Sequence, residues 1–324
     1  MVHQEWTTLS RLRYCLFSGM EDSESTERIT MGGLLCWPKA FSIYGRLGEK
    51  SANTAKDHLE RFDVIHVNYT PRNASYISAL RESLGNSDTK IIANVDYAIG
   101  MWSNIDPYVM KDQLLRADLV FHVEPIGAAA LQQFLGVPVP TVPHPSDVSR
   151  IKEFRQPTRL PAIAACQYHR YMYTWHPYFY ALREFPELLS ALMNVSSPQP
   201  DVPFDAYFNE VFTRTAYEEY IAMLGGSFIN LDLTPDYTYG RGIVDAAALG
   251  VPTIGSVTCW AATHIWPDLA VQPYYIHQIK DRVRRLITDP EFASEMSSRG
   301  TELSEHYNLE NSYNRMVECL SASS

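Results

Sequence analysis

No stretch constrains the fold as tightly as residues 227–256, SFINLDLTPDYTYGRGIVDAAALGVPTIGS, which read as strand, polar loop, short helix, strand. Residues 227–233 alternate apolar and polar side chains and are β-prone. Residues 234–242 carry Pro235, Asp236, Gly240 and Gly242, which is loop chemistry. Residues 243–249 are rich in Ala and Leu and predict a helix. Gly250 stops that helix, Pro252 prevents its continuation, and residues 251–255 read as a second buried strand. A glycine-containing loop feeding a helix N-terminus presents free backbone N–H groups, and these suit phosphate. Asp245 is expected in the helix's first turn, where the dipole favours a carboxylate. A carboxylate there is a natural acceptor for sugar hydroxyls.

The rest of the chain repeats the same alternation. Strands are expected at residues 12–18, 62–67, 90–96, 117–123 and 138–142, and helices at 51–61, 73–84, 107–116 and 126–135, the last ended by Gly136. Alternation of this kind argues for a parallel sheet covered on both faces. Residues 141–161 hold Pro143, Pro145, Pro157 and Pro161 among mixed charges and read as a linker. A second alternation begins with a strand at 161–166. It continues through an aromatic run to residue 185, a strand at 204–208 and a helix at 214–224, and ends in helices at 276–288, 291–307 and 312–320. The aromatic run reads as a packed helix face or as a lining for sugars and bases.

A length of 324 residues allows two α/β domains. A formal charge of −10 argues against a uniformly basic nucleic-acid-binding surface. Cys15, Cys36, Cys166, Cys259 and Cys319 are odd in number and widely spaced, as expected of reduced thiols in a cytoplasmic setting. The first residues lack the apolar core of a secretory signal, and no run is long and apolar enough to span a bilayer. A peripheral membrane contact stays open. Residues 45–51, GRLGEKS, mimic a phosphate-binding loop, but Glu49 separates Gly48 from Lys50. No Gly-x-Ser-x-Gly elbow and no Gly-x-Gly-x-x-Gly fingerprint is present, which argues against a serine hydrolase and a dehydrogenase. Gly32 and Gly33, after the first strand, read as a plain turn or as a place where backbone approaches a ligand closely.

Residues 239–256, YGRGIVDAAALGVPTIGS, resemble the nucleotide-sugar-binding segment of glycosyltransferases with the GT-B fold, family 4 in particular. Weaker landmarks follow in order. FDVIH at 62–66 resembles the family's strand ending in a polar residue. RADLV at 116–120 resembles its Ala-Asp-hydrophobic strand. VPHPSDV at 142–148 resembles its crossover into the second domain. The resemblance implies an α/β protein of two Rossmann-like domains facing across a cleft: an acceptor-side domain at 1–148, a donor domain at 149–300, and C-terminal helices at 301–324 packing back on the first. It implies transfer of a sugar, hexosyl in type, from a nucleotide-sugar donor to an acceptor hydroxyl, with retention favoured over inversion. No metal and no cofactor beyond the nucleoside-diphosphate sugar is expected. The acceptor, whether glycan, lipid or small molecule, is left open, as is the oligomeric state.

The same resemblance implies site residues. Asp245 takes the place of the family's second Glu, which holds the ribose. Tyr237 stands where the first Glu belongs, with Asp236 beside it as a substitute carboxylate. His169 and Arg170 follow the first strand of the second domain, where the family places diphosphate-binding cations. Arg241, between Gly240 and Gly242, reads as a second diphosphate contact or a solvated loop charge. Tyr237, Tyr239 and Ile243 complete the donor loop. Asp96, where the family often has His, reads as a general base on the acceptor or as a simple cap. The missing first Glu motivates a second reading, a catalytically degenerate nucleotide- or sugar-binding partner subunit. A DNA-modifying glycosyltransferase is the third, and the acidic balance opposes it.

Overall fold

The computed structural model describes residues 11–17, 33–51, 53, 55–70, 75–95, 106–157, 159–166, 180–195, 208–213 and 216–322. The chain divides into two compact units: one runs to Ser146 and resumes at Tyr307, and the other is Asp147–His306. Among the described residues no helix is long and apolar enough to cross a membrane.

The first unit alternates β1 (Arg13–Phe17), α1 (Cys36–Tyr44), β2 (Leu47–Lys50), α2 (Lys56–Leu59), β3 (Val64–Tyr69), α3 (Tyr76–Leu84), β4 (Lys90–Val95), α4 (Pro107–Leu114), β5 (Leu119–His122) and α5 (Pro125–Leu135), and gains α12 (Leu309–Ala322) from the end of the chain. Its sheet is wholly parallel, in the order β2-β1-β3-β4-β5. Successive residues of a strand point to opposite faces, and both faces are buried. Cys15 and Phe17 join Leu59, Ile65, Ile91 and Leu131 in one core. Tyr14 and Leu16 join Trp37, Phe41, Phe121 and Tyr313 in the other. Tyr14 stacks on Phe41 at 4.1 Å, and Tyr313 of α12 meets Phe41 edge-on at 4.9 Å.

Local chemistry explains where the elements stop. Asp106 caps α4 by accepting from the amides of Tyr108 and Val109, with Pro107 at the first helical position. Glu124 does the same for α5 through Ile126 and Gly127, and Gly136 closes that helix in the left-handed conformation. The helix expected at 51–61 shrinks to Lys56–Leu59. Ser51 Oγ accepts from the Asn53 amide and Asn53 Oδ1 from the Ala55 amide, so side chains occupy the backbone before a helix can form. The strand expected at 138–142 is reduced to a bridge between Thr141 and His122. Pro138, Pro140 and Pro143 bring no amide proton to a ladder. The phosphate-loop mimic at 45–51 is largely strand β2.

The second unit contains α6 (Val148–Lys152), β6 (Leu160–Cys166), β7 (Leu189–Val195), β8 (Glu210–Thr213), α7 (Tyr217–Gly226), β9 (Ser227–Asp232), α8 (Arg241–Ala248), β10 (Thr253–Gly255), α9 (Trp260–Ile265), α10 (Ile276–Thr288) and α11 (Pro290–Leu303). Its parallel sheet runs β10-β9-β6-β7-β8. The division between the units, at Ser146/Asp147, falls inside the linker expected at 141–161, and that stretch also holds α6, because Asp147 Oδ1 accepts from the Arg150 amide and caps a helical turn. Residues 204–207 lie outside the described set, Phe208 is not in a strand, and the neighbouring strand is Glu210–Thr213. Helix α8 is buried from Ile243 to Ala248. The fully buried Trp266 sends its indole N–H to Met296 O at 2.8 Å and so ties α11 to the core.

Candidate functional site

In the second sheet the strand order reverses between neighbours β6 and β9. In open parallel sheets the crevice beyond the carboxyl ends of such a pair is where ligands sit. Residues 233–240 leave β9 at that edge and feed straight into α8. The loop singled out from the sequence thus stands at the switch point. His169 and Arg170, which follow β6 in the chain, lie outside the described residues.

Helix α8 starts at Arg241, two residues earlier than expected, because Gly240 turns the chain with φ +83°. A side chain at Gly240 would meet Ile243 Cδ1 at 3.1 Å. The amides of Ile243 and Val244 return to Gly240 O, at 3.1 and 3.4 Å, and no side chain caps the helix. An uncapped helix start at a ligand edge is a place for an anion or for water. The earlier start moves Arg241 and Gly242 from loop to helix and places Asp245 in the second turn, so its expected first-turn dipole stabilisation is lost.

Asp245 is also not displayed. It is 1% exposed, and Arg241 Nε stands 3.8 Å from its Oδ2. The Arg241 guanidinium lies over the Tyr217 ring, 4.6 Å from its centre. Burial pushes the Asp245 carboxyl above its ordinary range, while the Arg241 charge and the Tyr217 hydroxyl pull it back. Burial likewise raises the Tyr217 phenol well above its ordinary value. Among the described residues neither the Tyr217 hydroxyl nor Asp245 Oδ1 has a hydrogen-bond partner of good geometry. A buried polar atom left so is costly unless a ligand or water completes it. Tyr217 had no signal in the sequence, since it reaches the loop from α7.

Asp236 turns back on its own loop, its Oδ1 accepting from the Tyr237 amide at 2.8 Å. Tyr237 is 40% exposed, whereas Tyr239 is buried with its ring 6.4 Å from that of Trp260. Ile243 is core. Asp236, Tyr237, Tyr239, Gly240, Arg241, Gly242, Ile243 and Asp245 are therefore brought together around one loop and helix start. Gly33 belongs to the first unit. Its φ is +88°, and its amide donates to Pro145 O at 3.0 Å. Gly32 and Asp96 lie outside the described residues.

A buried hydroxyl network beneath the loop escaped the sequence reading. Thr234 Oγ1 donates to Asp232 Oδ1 at 2.8 Å, Thr258 Oγ1 donates to Thr234 O at 2.6 Å, and Ser256 and Thr258 share a hydroxyl contact at 2.5 Å. Burial pushes the Asp232 carboxyl up to about 6, against the pull of the Thr234 hydroxyl and amide. Asp232 is the last residue of β9, and that carboxyl-end position was the available signal.

No protein-family model and no curated protein matches the sequence. Solved structures do match. HepE (Alr3699) of Anabaena in complex with UDP and glucose aligns with a TM-score of 0.68 at 11% identity, over 96% of this chain and 100% of that one. Sucrose-phosphate synthase of Thermosynechococcus elongatus aligns at 0.64 and 18% identity, over 82% of this chain and 75% of that one. A UDP-forming α,α-trehalose-phosphate synthase of Burkholderia xenovorans aligns at 0.64 and 14% identity, over the same shares. These are GT-B glycosyltransferases, and the two parallel five-stranded sheets of the present chain have the GT-B fold.

Proposed function

We propose that the protein is a glycosyltransferase that moves a hexosyl group from a nucleoside-diphosphate sugar to an acceptor hydroxyl. The observation that carries this reading is the uncapped start of α8, fed by residues 233–240 at the switch point of the second sheet, with Arg241 and Asp245 on its first two turns. HepE was crystallised with UDP, and with UDP-glucose, on the same fold. Residues 239–256 support family 4 as the relationship.

In this reading the second unit holds the donor and the first unit takes the acceptor. The α8 amides and Arg241 neutralise the departing diphosphate, as fixed donors and guanidinium groups do without a metal. Asp245 takes a ribose hydroxyl once Arg241 turns to the phosphate, which gives its unpartnered Oδ1 a donor. His169 and Arg170 add to the phosphate side, Tyr237 and Tyr239 flank the donor, and Asp96 with Asp236 supplies the carboxylates near the reacting sugar. Retention, a cytoplasmic location and a transfer step that uses neither metal ion nor cofactor belong to the same proposal. The test is a thermal-shift screen against nucleotides and nucleotide sugars, followed by transfer assays on the donors that bind. Turnover that survives both Arg241→Ala and Asp245→Ala overturns the donor site.

One observation favours a second reading. Tyr237 occupies the place of the family's first acid, and the neighbouring Asp236 carboxylate is engaged by the Tyr237 amide. A catalytically silent nucleotide- or sugar-binding subunit fits that loss. Calorimetry distinguishes the two: tight nucleotide binding without donor hydrolysis or transfer selects the silent protein.

A further inference from the structure

We propose that Cys15, Glu49 and His58, in the first unit, form a binding site for a thiophilic divalent cation of the zinc type. The three ligand atoms lie within 4.8 Å of one another. Cys15 and Glu49 are register partners on β1 and the edge strand β2, so both side chains leave the sheet on one face. His58 reaches the same point from α2, its Nε2 3.4 Å from Glu49 Oε1. Ser51 Oγ stands 2.9 Å from the same nitrogen and supplies a fourth polar atom. The edge of the His58 ring packs on Phe62, centres 5.4 Å apart, which fixes the imidazole.

Sulfur, nitrogen and carboxylate oxygen are the donors zinc takes, at about 2.0–2.3 Å, which puts ligand atoms about 3.3–3.7 Å apart in a tetrahedron. The Glu49–His58 pair already has that spacing, and the thiol needs a shift of roughly 1 Å to complete it. A thiolate and a carboxylate balance the charge of the ion; the thiol proton leaves to solvent on binding. Cys15 is fully buried, while His58 and Glu49 are partly exposed and give the ion its way in. Arg61 is the opposing feature, since it forms an ion pair with the same carboxylate oxygen. The ion's role is structural: it pins the edge strand and α2 to the sheet, in the unit that does not contain the α8 loop. The three ligands have no spacing signature in the sequence: the β1–β2 pairing brings Cys15 to Glu49, and α2 adds His58.

The experiment is equilibrium dialysis of the full chain against Zn(II), with bound metal counted by atomic absorption, together with Co(II) substitution followed by absorbance. The expected result is one tightly bound equivalent and a thiolate-to-Co(II) charge-transfer band in the near ultraviolet. His58→Gln and Cys15→Ser should each weaken binding on the order of 100-fold, and Arg61→Met should tighten it by removing a competing cation. No bound equivalent in the wild type, a Co(II) spectrum without the thiolate band, or binding unchanged in both ligand variants overturns the proposal. Should Cys15→Ser fail to fold, the wild-type spectrum and the partly exposed His58→Gln still decide. Donor binding at α8 is measured separately, so failure here leaves the proposed function standing.

Discussion

Arg241 Nε stands 3.8 Å from Asp245 Oδ2, one turn along the same helix, and the guanidinium covers the Tyr217 ring on its way there. Removing one member of a fully buried ion pair costs about 3–5 kcal/mol, because the other charge is left uncompensated. Arg241 is a third exposed, so water can replace part of what it supplies. Arg241→Ala is expected to lower stability by about 1–2 kcal/mol in urea unfolding. The double variant with Asp245→Asn should recover most of that loss. Nucleotide affinity, read by calorimetry, should fall about 10- to 100-fold, the worth of a lost charged hydrogen bond. Undiminished affinity would place the diphosphate elsewhere.

Gly240 is the hinge between loop and helix. Its φ of +83° costs a residue with a side chain about 1–2 kcal/mol, and a Cβ would press on Ile243 Cδ1 at 3.1 Å. Gly240→Ala should therefore destabilise the chain by at least that amount in urea and weaken nucleotide binding by shifting the start of α8. Ala at Gly242, already inside the helix, should leave stability higher than Ala at Gly240, because Ala favours a helix and carries no left-handed strain there.

Periodicity revealed most of the scaffold and little of what lies between its elements. Helix α10 matches its expected range, Ile276–Thr288, because three buried positions, Ile279, Val283 and Leu286, recur at helical spacing opposite a charged face. The strand Lys90–Val95 was legible from Ile91, Ile92, Ala93 and Val95, a largely apolar run interrupted by Asn94. Strand β2 was not, since LGEK is short, half-buried and polar enough to pass for a loop. The donor loop stood out through its glycines and its carboxylate, but the sequence displayed Asp245 where the fold buries it. That difference depends on Arg241 and Tyr217, and a partner from α7 has no local signature. Asp232 was hidden for a similar reason: its chemistry comes from burial and from Thr234, neither of which is visible in the residue itself.

Gly300 lets α11 close on the core. A Cβ there would sit 2.3 Å from Trp266 Cζ2, and the indole is fully buried and anchored to Met296 O. Neither ring nor helix can yield without breaking that bond. Gly300→Ala is expected to cost about 1–3 kcal/mol, the range for overpacked cores. Urea unfolding measures the loss, and a shift in Trp emission on the native baseline would report the displaced ring. An unchanged midpoint would mean that α11 slides freely on the core.

Asp232 should set a pH dependence of stability. Its carboxyl rises to about 6 in the fold from an ordinary 3.8. Between those values the native chain holds a proton that the unfolded chain has released. The free energy of unfolding therefore falls as pH rises from about 4 to about 6 and levels above that. Two units of displacement correspond to roughly 2–3 kcal/mol. Burial pushes the Asp63 carboxyl up, but the hydrogen bonds and charge of Arg13 together outweigh it and hold the group below its ordinary range, so it contributes with the opposite sign at lower pH and the wild-type curve alone is not diagnostic. Asp232→Asn isolates the effect, because an amide oxygen can still accept from the Thr234 hydroxyl yet does not titrate. Urea midpoints should show the variant gaining on the wild type from pH 4.5 to 7.5. Parallel curves would mean that water or a cation already solvates Asp232 beneath the loop.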